Sequence, residues 1–345
     1  MIVFQAVSPG KGEFTDLPIP VPGGHDVLVK IKYCGICGTD YALFSGKSGF
    51  VKKGQATYPI RLGHEWSGVV EKVGGEVGKV KPGDRVVGDN FVSCGKCAAC
   101  LAGDYGNCSA RLNVGTIDPI WPGAFAEYYV IPERHVYRLA DNVPLMDAAL
   151  CEPLSVAYGG VKKMDMNGDS VVVVIGTGSI GMSAAALSLN KGAGQVYMLG
   201  RNAFKLEKAM GLGITGTINS SETDPEEELL RLTGGKHADY ILECSGAASS
   251  LGQCVRLAER CASVALIGFY ERDDIVFDFD AFVAKELKMT GIMGEFGNLE
   301  AVAGIMASCD LRMKSIITDT VPFSECAPAF CPPDSRRVIK TIVEF

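Results

Sequence analysis

The chain has 345 residues and a mass of 36.6 kDa, 47% hydrophobic and 21% charged, which calls for two domains and excludes a mainly disordered protein. Its 33 basic and 40 acidic residues leave a formal charge of −7, so there is no general attraction to nucleic acid or anionic lipid. No stretch approaches the ~18 apolar residues of a membrane span, and the first ten residues lack a basic-then-apolar export signal; a soluble, cytoplasmic protein with no nucleic-acid or membrane partner is expected.

The first 154 residues read as short β-rich segments, such as 27–33 and 68–73, cut by Gly and Pro in the pattern of a mainly antiparallel barrel. Two stretches place metal-ligand residue types among glycines, where backbone can fold tightly around an ion: Gly35-Ile36-Cys37-Gly38-Thr39-Asp40 and Gly63-His64-Glu65. Cys37 and His64 are the natural first pair of a catalytic zinc site, which needs a third protein ligand and an open position. Cys151-Glu152-Pro153 offers that ligand as Glu152 or Cys151, and spacing does not choose between them. Asp40 suits a supporting role, accepting the other ring N–H of His64 and fixing its tautomer.

Cys94, Cys97, Cys100 and Cys108 follow the spacing C-x2-C-x2-C-x7-C. Four thiolates so close in sequence can close a tetrahedral shell around Zn²⁺ without distant help, and the compact spacing favours zinc over an iron–sulfur cluster. In a chain of this length such a group points to metal in a reducing compartment rather than to a disulfide framework. A closed shell leaves no place for water, so this zinc would brace a loop and the chemistry must lie elsewhere.

After Pro153 the pattern changes to a helix at 155–163, an apolar β-branched strand at 171–175, a helix at 180–191 and a strand at 195–199. The alternation continues through helices at 204–210, 225–233 and 250–257 and strands at 238–244 and 262–269, which predicts a parallel sheet covered on both faces. Gly176-Thr177-Gly178-Ser179-Ile180-Gly181 follows the first strand and opens a helix. Gly176 permits the tight turn, Gly178 lets backbone approach a pyrophosphate, and Gly181 allows close packing of helix on strand. The next strand ends in Gly200-Arg201-Asn202. No carboxylate stands there to repel a 2′-phosphate, Gly200 leaves room for one, and Arg201 can pair with it, so NADP(H) is favoured over NAD(H); Lys205, one turn on, does not discriminate.

Taken in order, Cys-Gly-Thr-Asp at 37–40, Gly-His-Glu at 63–65, Pro-Gly-Asp-Arg-Val at 82–86, the cysteine lobe and the dinucleotide turn resemble the zinc-dependent medium-chain dehydrogenase/reductase family, the alcohol and polyol dehydrogenases, over nearly the whole chain. The resemblance implies an α/β protein: a GroES-like β-barrel catalytic domain at 1–154 and 295–345, with its zinc lobe at about 90–110, and a Rossmann doubly wound parallel-sheet domain at 155–294. Glu152-Pro153-Leu154-Ser155-Val156 resembles the polyol branch typified by sorbitol dehydrogenase. That places Glu152, rather than Cys151, at the metal, with Glu65 as a further, exchangeable ligand.

The implied catalytic set is Cys37, Thr39, His64, Glu65 and Glu152, with Thr39 opening a proton relay. In the family a His commonly ends that relay two residues after the Asp; here the position is Ala42. The implied reaction moves a hydride between a secondary alcohol of a polyol, cyclitol or sugar-derived substrate and NADP, in a chain holding about two zinc ions. A homodimer or homotetramer paired through an edge strand, expected at 262–269, also follows from the resemblance. Two other readings compete: an NADPH-dependent aldehyde or aromatic-alcohol reductase, which shares every motif but 152–156, and a non-catalytic zinc and nucleotide-binding protein, against which Cys37, Thr39 and His64 stand. Tyr41, Phe44, Trp121 and Phe296 are candidate pocket residues, with core packing an equally good reading.

Overall fold

The principal elements, in chain order, are β1 (Asp26–Ile36), α1 (Gly38–Phe44), β2 (Glu65–Val73), β3 (Arg85–Gly88), β4 (Tyr128–Pro132), β5 (Val136–Arg138), α2 (Cys151–Val161), β6 (Val171–Ile175), α3 (Ser179–Asn190), β7 (Gln195–Gly200), α4 (Ala203–Met210), β8 (Gly216–Asn219), α5 (Pro225–Thr233), β9 (Ala238–Glu243), α6 (Ser250–Leu257), β10 (Ala258–Leu266), β11 (Lys288–Gly291), α7 (Asn298–Ser308), β12 (Ile317–Pro322) and β13 (Lys340–Glu344). They come from a computed structural model that describes residues 1–272, 274–293, 297–332 and 334–345. The chain forms two units: Met1–Glu152 with Leu299–Cys309 and Asp319–Phe345, and Pro153–Asn298 with Asp310–Thr318. Segment 310–318, expected with the barrel, groups with the second unit because the turn Met313–Ile316 buries Met313 and Ile316 against α3 and α4. The expected division at 294/295, like Phe296, lies outside the described residues.

In the first unit the sheet runs β5-β3-β2-β1-β13-β12, with β4 also on β1. Strand β1 is long enough to serve three partners: β2 on one edge, and on the other β4 along Asp26–Lys30 and β13 along Tyr33–Ile36. Val27, Val29 and Ile31 face inward onto a core shared with Trp66, Tyr129, Phe125 and Phe330. Burying these aliphatic and aromatic side chains stabilises the barrel by roughly 25 cal/mol per Å² of apolar surface. Phe44, a candidate pocket residue, belongs to that core: it is buried with ring centroids 6.3 Å from Phe4 and 5.3 Å from Phe330.

The second unit is a parallel sheet in the order β8-β7-β6-β9-β10-β11. Its central strand β6, Val171-Val172-Val173-Val174-Ile175, is buried on both faces, as a β-branched run inside a doubly wound sheet must be. Helix α5 starts where Asp224 accepts the N–H groups of Glu226 and Glu227, with Pro225 at its first position, and stops where Gly234 turns left-handed at φ 71°. The edge strand expected at 262–269 is overturned. Strand β10 begins earlier, at Ala258, and is interior, because β11 pairs along Ser263–Leu266 and forms the described edge. The apolar run is apolar because it is covered, whereas β11 is short and exposes Lys288, Thr290 and Gly291. No helix among the described residues is long and apolar enough to cross a membrane.

Candidate metal centre and nucleotide turn

Two separate stretches of the barrel unit bring three metal-ligand side chains to one point. Cys37 follows β1 and caps α1, its backbone N–H donating to Asp40 Oδ2 at 2.9 Å; Cys-Gly-Thr-Asp makes this cap because Asp falls at the third helical position. Asp40 Oδ1 accepts the N–H of Gly63 at 3.3 Å, which ties the second loop to the first. Gly63 itself turns at φ 96°, a conformation that a side chain would strain, and delivers His64 and Glu65 into the start of β2. One ligand atom each from Cys37, His64 and Glu65 then lie within 4.8 Å of one another.

The electrostatics of this trio call for a cation. Burial opposes charge on His64, yet the Asp40 carboxylate and the Cys37 thiol outweigh it and raise the imidazole pKa well above its ordinary value. His64 Nδ1 and Glu65 Oε1 are buried with no hydrogen-bond partner, a state folded proteins rarely leave uncompleted. A thiolate, an imidazole and a carboxylate are zinc's own donor types, so the residues fit that ion. The expected Asp40–His64 hydrogen bond is not formed: Nδ1 and Oδ1 are 3.8 Å apart, too long for one, and the Asp40 oxygens instead accept the backbone N–H groups of Cys37 and Gly63.

Glu152 lies outside this tight trio, in the first turn of α2, where Oε1 accepts a hydrogen bond from Asn90 Nδ2 at 2.6 Å. Burial, with Glu65 adding to it, pushes its pKa up to about 7, so a nearby cation would favour its charged form. Cys151 faces elsewhere: its Sγ is 3.4 Å from Met306 Sδ, and burial pushes the thiol up to about 12. Thr39 is partly exposed on the first turn of α1. Tyr41 OH lies 3.4 Å from Thr341 Oγ1, and Trp121 Nε1 donates to the Val130 carbonyl at 3.1 Å.

Lys340 completes the site without any signal in the sequence. It is 1% exposed, donates to Glu65 Oε2 and to the Ile36 carbonyl at 3.2 Å, and reaches them because β13 pairs with the end of β1. Gly35 stands opposite Glu65 in the β1–β2 ladder, and a β-carbon there would collide with Glu65 Oε2.

In the cysteine lobe the four sulfurs also lie within 4.8 Å of one another. Cys94 Sγ is 3.9 Å and Cys97 Sγ 3.5 Å from Cys100 Sγ, too far for disulfides and close to the ~3.8 Å edge of a tetrahedron with Zn–S bonds of about 2.3 Å. Backbone N–H groups of Cys100 and Ser109 pull Cys97 down to about 6, which favours the thiolate a metal needs. The base of the lobe is fixed to the barrel: His135 Nε2 accepts the N–H of Ser93 at 2.9 Å, its Nδ1 is 2.8 Å from Asp89 Oδ2, and Arg134 Nε donates to Ser93 Oγ at 2.9 Å.

In the second unit Gly176 turns at φ 112°, and α3 begins at Gly178 with no side chain capping its N-terminus, leaving backbone N–H groups for an anion. A β-carbon on Gly181 would collide with the Gly176 carbonyl, which is the close helix-on-strand packing expected of the third glycine. Ser179 and Ile180 lie between them in the first turn. Gly200 has a packing reason of its own, since a β-carbon would stand 2.5 Å from Thr177 Cγ2. Asn202 caps α4, accepting the Lys205 N–H at 3.1 Å, while Arg201 is exposed and makes no ion pair among the described residues. Lys205 is half-buried, and desolvation lowers its pKa. These residues fit a dinucleotide phosphate.

Residues 23–141 match the family described as alcohol dehydrogenase GroES-like domain, and residues 179–307 the family described as zinc-binding dehydrogenase. A sorbitol dehydrogenase of Halalkalibacterium halodurans is 32% identical over 340 residues, 97% of this chain and 96% of its own. An L-threonine 3-dehydrogenase of Anaeromyxobacter sp. is 35% identical over 333 residues, 96% of this chain and 94% of its own. Among solved structures, a protein of Sinorhizobium meliloti 1021 described as a zinc-binding dehydrogenase and bound to NADP superposes with a TM-score of 0.89 at 28% identity, covering 100% of this chain and 99% of its own.

Proposed function

Because the chain belongs to the zinc-dependent medium-chain dehydrogenase/reductase family, in its polyol dehydrogenase branch, we propose that it moves a hydride between a secondary alcohol of a polyol, cyclitol or sugar-derived substrate and NADP. The observation that carries this reading is the convergence of Cys37, His64 and Glu65, with two buried ligand-type atoms left without partners. Zinc, when bound, supplies the Lewis acidity that lets a hydroxyl lose its proton near neutral pH, and NADP supplies the hydride acceptor. Cys37, His64 and Glu65 would hold that zinc, with Glu152 beside them; Cys94, Cys97, Cys100 and Cys108 would hold a second, structural one.

Thr39 places a hydroxyl two residues from Cys37, where it receives the substrate proton by hydrogen bonding. Ala42, at the usual relay terminus, offers no group to take that proton onward, so it leaves to solvent rather than to a side chain at that position of α1. Asp40 keeps the two ligand loops in register, which preserves the geometry on which proximity depends. Gly176, Gly178 and Gly181 would let a pyrophosphate approach the N-terminus of α3, and Gly200, Arg201 and Asn202 would accommodate a 2′-phosphate. Pairing of two chains along β11 would cover its exposed backbone.

Metal-loaded protein assayed on polyols, cyclitols, sugar phosphates and β-hydroxy amino acids, each with NADP and NAD, tests the proposal. Oxidation of a polyol with NADP supports it; activity confined to aromatic alcohols and aldehydes, or to threonine-like substrates, assigns a different substrate class. Glu152→Ala should remove most turnover and leave NADP binding intact, and retained turnover would rule out its assignment to the metal. Arg201→Ala should lower kcat/KM for NADP by about ten- to a hundredfold while leaving NAD nearly unchanged, since a hydrogen bond to a charged group contributes ~1.5–3 kcal/mol.

A further inference from the structure

Glu65 is a carboxylate with its two oxygens in different situations. Oε1 is buried without a hydrogen-bond partner, while Oε2 accepts a hydrogen bond from Lys340, and one oxygen of this carboxylate lies in the cluster with Cys37 and His64. Lys340 is itself buried, and it also donates to the backbone carbonyl of Ile36. A buried lysine is costly unless it is paired, so its retention needs an anion at that spot. Gly35 keeps the space in which the pair meets, because any β-carbon there would displace Oε2.

We propose that Lys340, in the space kept open by Gly35, is a positioning residue that holds one oxygen of Glu65 on the protein, so that the carboxylate offers a metal ion a single, displaceable oxygen. The inference rests on reading the Cys37–His64–Glu65 cluster as a metal centre. A hydrogen-bond acceptor behind a ligand raises its basicity; a cation behind a carboxylate competes with the metal for the same charge. Lys340 therefore weakens the hold of Glu65 and keeps a coordination position exchangeable. Without it, both oxygens answer to the metal alone.

The test uses full-length protein loaded with Co²⁺ at the inner site, whose visible bands weaken when a fifth ligand joins four, together with the rate of metal release to a chromogenic chelator. Lys340→Met should weaken the bands and slow release by about tenfold, the scale on which supporting residues act, with turnover falling in parallel. Lys340→Arg should restore all three. In a Glu65→Gln background, Lys340→Met should change neither bands nor release. Gly35→Ala, which pushes Oε2 off the lysine, should reproduce the Lys340→Met signature and serves if that variant fails to fold. Wild-type bands and release in folded Lys340→Met, or the same change in the Glu65→Gln background, would overturn the proposal while leaving the metal centre intact. Failure of the wild-type inner site to take cobalt would overturn both.

Discussion

His64→Ala should lower turnover about a thousandfold and reduce bound zinc from about two ions per chain to about one, without loss of NADP binding. The size of the effect follows from the several kcal/mol that a Lewis acid contributes to stabilising developing charge, each 1.36 kcal/mol being tenfold in rate. Its selectivity follows from the structure. His64 belongs to the inner trio, the lobe closes around its own four sulfurs, and the nucleotide turn is built entirely within the second unit. The fold should survive, because Asp40 ties the two loops through the backbone N–H groups of Cys37 and Gly63, and neither bond involves the imidazole. Zinc by elemental analysis, NADP affinity by titration and turnover on the best polyol check the three parts. A variant with one zinc fewer and undiminished turnover would falsify the catalytic reading of this site.

Cys97→Ser should release the other zinc and unfold the lobe while sparing nucleotide binding. The lobe has little apolar core: Leu101 is 77% exposed, and Cys100 and Cys108 are among its few buried residues. A structural zinc contributes about 10–16 kcal/mol in isolated peptides, as much as the whole net stability of an ordinary domain. Nothing else in the lobe approaches that, so its fold should not outlast the ion. The damage should stop at Ser93, which His135, Asp89 and Arg134 hold from the barrel side. Limited proteolysis should cut the variant within 94–108 and leave the remainder intact; a lobe that resists protease with three thiols and no zinc would contradict this account.

The elements most legible in the sequence are those whose pattern is complete within a short window. Val171–Ile175 has no polar residue and can only be an interior strand, and Pro225–Thr233 carries its own start and stop in Asp224 and Gly234. The four-cysteine lobe and the glycine turn are legible for the same reason: their ligand spacing and turn chemistry are local. Gly216–Asn219 and Lys288–Gly291 are not, being four-residue strands with mixed polarity that exist only because a neighbouring strand offers a ladder. In the inner site, Cys37, His64 and Glu65 could be nominated from residue type, but Lys340 sits 275 residues from its partner in Val-Ile-Lys-Thr-Ile-Val, where it looks like an ordinary exposed position of a strand. Its burial depends on which strand β13 pairs with, and that is tertiary information.

The same separation orders events during synthesis. Strand β1 and the Gly-His-Glu loop leave the ribosome early, whereas the lysine that neutralises Glu65 follows only after the whole nucleotide-binding sheet has been made. At roughly 5–20 residues per second, 275 residues correspond to tens of seconds in which the nascent barrel lacks an inner strand and carries an uncompensated carboxylate. The half begun first is therefore finished last, and its metal pocket matures only when the tail has threaded back beside the opening strand.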